Sequence, residues 1–179
     1  MVESLLAMSI ATVAGTAMLT SVFAAISSSS AAAETAIAAG LADQLLDEIA
    51  ATRFPAATNN PLAQPKVRTT FDDIDDFSGW ANTPPLDPNG LTIGTEAAPS
   101  LGATQRPTDM QPDSNYLANV SQEVVVERVQ PNGTGGWTVV STHTNYRRVT
   151  VRIKKTVPNS ATKTLSEVVR IFAYVPPSS

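Results

Sequence analysis

The chain has 179 residues, 42% hydrophobic and 16% charged, with no cysteine and one histidine. That length fits one domain of ordinary size with an appended element, and a net charge of −4 is the wrong sign for a general nucleic-acid binder. Without cysteine there is no disulfide framework, thiol nucleophile or zinc–thiolate site, and His143 alone builds neither a multi-histidine metal centre nor a histidine-based triad. An enzyme is the weaker expectation.

The N-terminal third predicts one long helix. Residues 1–54 contain none of the chain's 13 prolines. Between Glu3 and Glu34 the 30 residues from Ser4 to Ala33 carry no charge, and about 20 apolar residues are enough to span a bilayer. The run has no basic start and holds an acid at position 3, so it does not read as a cleaved secretory signal. Of residues 1–54, 29 are Ala, Gly, Ser or Thr, small side chains that let helix backbones approach closely. The expected helix can sit in a membrane and is built to pack on other helices. Its second half turns amphipathic, with Ile37, Leu41, Leu45 and Ile49 against Glu34, Asp43, Asp47 and Glu48. Pro55 disfavours helical geometry at Phe54 and supplies the stop. An unbroken helix to that point is roughly 80 Å long, more than a domain of this size spans, so part of it is expected to protrude.

A carboxylate at the head of an apolar segment is costly unless it stays in water or finds a cation. Glu3 can rest beside the favourable end of the helix dipole, or pair on assembly with the α-amino group of another copy.

Met1-Val2-Glu3-Ser4-Leu5-Leu6-Ala7-Met8-Ser9-Ile10 resembles the mature N-terminus of type IV pilin-like proteins. The specific part of the match covers roughly the first 25 residues. The resemblance implies a long N-terminal helix leading to a β-sheet head, export through a prepilin peptidase, and N-methylation. It also implies residence in the inner membrane before assembly, and then filament formation by helix packing through the pilus assembly machinery. In that family a glutamate pairs with the terminal amine of an adjacent subunit, a role carried here to Glu3, with Met1, Leu5, Leu6, Ile10, Gly15 and Phe23 in the packed helix. The family glutamate is normally two positions further on. Either two residues precede Met1 in the mature chain, or the reach from amine to carboxylate differs. The disulfide that closes a C-terminal loop in many pilins is impossible here. The proline that often marks a melted stretch in assembled pilins is missing too, and Gly15, flanked by Thr12, Thr16 and Thr20, is the weakest point of the helix by propensity.

Residues 55–114 hold nine of the prolines, with the loop signals Asn59-Asn60-Pro61, Thr83-Pro84-Pro85 and Asp87-Pro88-Asn89-Gly90. Phe71, Ile74, Phe77 and Trp80 give this stretch apolar anchors, so an ordered loop wrapped over the sheet, with one short strand, is expected. Within it, Asp72, Asp73, Asp75 and Asp76 crowd four carboxylates into five positions. Such a group shares a cation, is solvated, or forms salt bridges to the basic sheet. Calcium takes about six to eight oxygens, of which this turn can supply several, but the spacing is not that of an EF-hand. No other cofactor is implied. The Asp-Asp-x-Asp-Asp-aromatic-x-Gly-Trp string also resembles one that recurs in some pilin-like proteins.

From Asn115 onward, β-branched runs alternate with turns at Pro131-Asn132-Gly133-Thr134-Gly135-Gly136 and Pro158-Asn159-Ser160, predicting strands over 120–129, 137–141, 146–156 and 165–175. The segment carries eight basic and three acidic residues, whereas 55–114 carries three and eight. The acidic loop and the basic sheet can therefore complement each other, within one subunit or between neighbours. Arg147, Arg148, Arg152, Lys154 and Lys155 read as a solvated strand face, and no specific nucleic acid is expected. Asn119 and Asn132 stand in glycosylation-type triplets.

The expected fold is α+β: a helix over 1–54, a wrapped loop over 55–114 and an antiparallel sheet over 115–179. The expected function is structural, as the repeating homo-oligomeric subunit of an extracellular bacterial filament. The alternatives are a minor pilin or a type II secretion pseudopilin, and, from another class, a membrane-anchored monomeric ligand-binding domain.

Overall fold

The computed structural model describes residues 2–55, 62, 67–94, 116–158 and 160–176. It is α+β, with one long N-terminal helix and a C-terminal antiparallel sheet. The helix, α1, covers Val2–Ala51, a length of about 75 Å. It is continuous through Gly15, where an added Cβ would meet nothing within 4 Å. Two compact units divide the chain at Ile37/Ala38.

In the first unit every described residue except Glu34 is exposed. This stretch contains the window that is long and apolar enough to cross a membrane, with mean hydropathy 1.7. The second unit has a conventional core. Ala38, Leu41, Ala42, Leu45, Leu46 and Ile49 of α1 are buried, a stripe spaced i, i+3, i+4, i+7, i+8 and i+11. Ile37, expected on that stripe, is 39% exposed. Each step of four overshoots the helical turn by about 40°, so three such steps back from Ile49 carry Ile37 roughly 120° around the helix.

The strands are β1 (Ala81–Asn82), β2 (Val120–Pro131), β3 (Trp137–Val139), β4 (Tyr146–Lys155) and β5 (Lys163–Ala173). They form one antiparallel sheet in the order β1-β2-β4-β5, with β3 paired to β2. The period-2 alternation sends Val120, Val124 and Val126 of β2 and Val149, Val151 and Ile153 of β4 into a core shared with the α1 stripe, Ile74, Phe77 and Trp80. By the area argument each such side chain contributes about 1.5–3 kcal/mol on burial.

Of the expected wrapped loop, residues 56–61, 63–66 and 95–114 lie outside the described residues. The part from 67 to 94 follows β2: Gly79 N donates to Val124 O at 3.1 Å, Val124 N to Trp80 O at 2.9 Å, and Leu86 N to the buried Gln122 Oε1 at 3.1 Å. The short strand expected there is β1.

Candidate assembly surface and acidic turn

Two features carry chemistry beyond the core. The first is the surface of α1 between Val2 and Ile26. Val2, Leu5, Leu6, Met8, Ile10, Val13, Met18, Leu19, Val22, Phe23 and Ile26 are all more than half exposed. They surround the helix instead of lining one face, the pattern of a helix that is to be buried on all sides. Four hydroxyls among them, those of Ser9, Thr12, Thr16 and Thr20, turn inward on the helix itself. Ser9 Oγ donates to Leu5 O at 2.8 Å, and Thr12 Oγ1 donates to Met8 O. Thr16 Oγ1 reaches Thr12 O at 3.0 Å and Thr20 Oγ1 reaches Thr16 O at 2.9 Å. A hydroxyl with its hydrogen satisfied by the preceding turn can enter an apolar environment at little cost. Glu3 stands in the first turn of α1 and is exposed, while Met1 lies outside the described residues. Leu5, Leu6, Ile10, Gly15 and Phe23 are distributed along this same surface.

The second feature is the acidic turn at 72–76, which the structure splits into two groups. Asp75 and Asp76 open a short 3-10 turn over Ile74–Phe77, with Asp73 as its cap: Asp73 Oδ1 accepts from Asp76 N at 3.1 Å. Asp76 Oδ2 accepts from Asp72 N at 3.0 Å. Asp72, Asp73 and Asp76 offer carboxylate oxygens within 4.8 Å of one another, and Asp72 also pairs with Arg53. Arg53, Phe54, Asp72 and Asp73 line a cleft of about 260 Å³. Burial, then the neighbouring Asp76 charge, push the Asp73 carboxyl above the usual range.

Asp75 faces the other way. Its Oδ1 accepts from Arg147 Nε at 2.7 Å and its Oδ2 from Arg147 Nη2 at 3.1 Å, a two-pronged buried pair. Arg147 Nη1 donates to Thr144 O at 2.7 Å and Tyr146 O at 3.2 Å, and the guanidinium lies 5.2 Å from the Phe54 ring centroid. Arg147 is therefore not part of a solvated strand face: its exposure is 0%. It shares the parity of Val149, Val151 and Ile153 along β4, and that alternation was the signal in the sequence that places it inside. The acidic loop and the basic sheet thus meet within one subunit. The bases on the opposite face are also engaged, Arg148 with Glu127 at 2.7 Å, Lys154 with Glu123 at 2.5 Å and Arg152 with Glu167 at 2.5 Å.

A residue with no such signal is Arg68. Its side chain is 3% exposed and its Nη2 reaches Glu48 Oε2 at 2.5 Å. Its guanidinium lies 5.4, 4.8 and 4.7 Å from the ring centroids of Phe71, Phe77 and Trp80. Burial lowers its pKa, opposed by Glu48. Among the described residues its Nε and Nη1 have no hydrogen-bond acceptor, and the guanidinium lies in this aromatic surround instead. Asn119 and Asn132 are both exposed; Asn132 sits in the loop between β2 and β3, with its Nδ2 against Gly136.

Comparisons with protein families, with curated proteins and with solved structures find no match. The layout of a long apolar N-terminal helix followed by an antiparallel sheet is consistent with a pilin-like one.

Proposed function

We propose that this chain is the structural subunit of an extracellular type IV pilus-like filament, held in the inner membrane by its N-terminal helix before assembly. The observation that carries the reading is the all-round exposure of large apolar side chains from Val2 to Ile26 on a helix whose Ser9, Thr12, Thr16 and Thr20 hydroxyls are internally satisfied. At about 1.5–3 kcal/mol per buried side chain, covering this surface is the strongest association force the molecule offers. A bilayer covers it in the monomer, and equivalent helices cover it in a filament. Glu3, the lone charged side chain before Glu34, then sets register by pairing with a neighbour's terminal amine, because one ion pair adds little beside that apolar area.

Electron microscopy of material sheared from the cells, with mass spectrometry of its N-terminal peptide, tests the reading. Thin filaments composed mainly of this chain are expected. A chain confined to the membrane fraction as a monomer, with no filaments, overturns it in favour of an anchored binding domain. Glu3→Ala should leave the second unit folded and sharply reduce filament yield; normal yield would remove the role given to Glu3.

A further inference from the structure

The loop Asn132–Gly136 contains a reactive arrangement independent of filament assembly. Asn132 Oδ1 accepts three hydrogen bonds, from Thr134 N at 3.1 Å, Thr134 Oγ1 at 2.9 Å and Gly136 N at 2.9 Å. Converging donors on one carbonyl oxygen stabilise negative charge there if the carbonyl carbon is attacked. The next residue is Gly133, held at φ +77°, where a side chain would be strained. It has no Cβ to block approach to Asn132 Cγ, and among the described residues its N–H meets no backbone or side-chain acceptor.

We infer that Asn132 is a site of spontaneous, conformation-assisted deamidation. The Gly133 nitrogen loses its proton to water or hydroxide and bonds to Asn132 Cγ, and the carbonyl electron pair moves to Oδ1, under the three donors. As that pair returns, the Cγ–Nδ2 bond breaks and Nδ2 leaves as ammonia, taking a proton from water. Water then opens the cyclic imide at either carbonyl, to aspartate or isoaspartate. The net reaction is amide plus water to carboxylic acid plus ammonia, with no oxidant or metal. The aspartate product keeps all three donors and strengthens their bonds through its charge, so the hairpin tolerates the change.

The chain carries its own control. Asn89-Gly90 is the same dipeptide, with Asn89 exposed, Gly90 half-buried and the glycine again at positive φ, +78°. There, however, Gly90 N is committed to Asp87 O at 3.0 Å, and it is Asp87 Oδ1, not the asparagine, that accepts the loop amides of Asn89 and Leu91.

The full chain in detergent, incubated at mildly alkaline pH and followed by peptide mass spectrometry, reads both sites in one sample. Deamidation at Asn132 is expected to run roughly tenfold or more faster than at Asn89. Thr134→Val should slow Asn132 by roughly fivefold and leave Asn89 unchanged, while Thr134→Ser, which keeps the hydroxyl, preserves the rate. In urea the two sites should converge. Equal rates at the two asparagines in the folded chain, an unchanged rate in Thr134→Val, or a difference that persists in urea would overturn the inference.

Discussion

Removing the Asp75 carboxylate is the sharpest test of how the acidic loop is held. Arg147 is completely buried and has two of its donors on Asp75. In Asp75→Ala the guanidinium keeps Thr144 O, Tyr146 O and the Phe54 ring, but no counter-charge. Stranding one member of a buried pair costs about 3–5 kcal/mol, a large share of the roughly 5–15 kcal/mol that holds a domain together. Urea unfolding of the full chain in detergent, followed by the fluorescence of Trp80, which is 5% exposed, should show the midpoint falling with little change in slope. For a chain of this size each kcal/mol lowers Tm by about 2–4 °C. The double variant Asp75→Ala/Arg147→Met removes the stranded charge and fills its space, so it should recover most of the loss. A cost below about 1 kcal/mol for Asp75→Ala, or a double variant no better than the single, would show that the pair is not the tie between loop and sheet.

Glu48→Ala should destabilise by a similar route, leaving Arg68 buried without its carboxylate. Arg68→Met should be close to neutral, because it removes two donors with no acceptor among the described residues and keeps contact with the Phe71, Phe77 and Trp80 rings; equal losses in both, read in the same melts, would contradict this. Asp73 has a raised folded pKa, so its contribution is fully present below its unfolded pKa and is lost as pH rises through the folded one. Asp73→Asn keeps the cap acceptor and removes the repulsion, so it should stabilise at neutral pH and give no gain at a pH below the unfolded carboxylate range; a gain of the same size at both pH values would contradict the sign. Calcium at about 1 mM, within the range bound by extracellular modules, should leave the melting curve unchanged. Arg53 and backbone amides already hold oxygens of Asp72, Asp73 and Asp76, and a saturable rise in Tm would refute that assignment.

Local pattern by itself determined the elements. The proline-free, small-residue run before Pro55 becomes α1, ending at Ala51. The four β-branched runs become β2 to β5, with starts at Val120, Trp137, Tyr146 and Lys163. These follow from backbone preferences and from the spacing of apolar residues within a few positions of one another. The long uncharged run and Glu3 are equally local, and the candidate assembly surface could therefore be read directly. Tertiary structure alone decided which carboxylate in 72–76 pairs with the sheet, because Asp75 finds Arg147 only across 72 residues of sequence. It decided likewise that Arg68 enters an aromatic surround against Glu48, and that Ile37 falls off the buried stripe. Such choices depend on how the loop lies against the sheet and how the helix is rotated upon it. Partners brought together by packing are not neighbours in the chain, so no local periodicity records them.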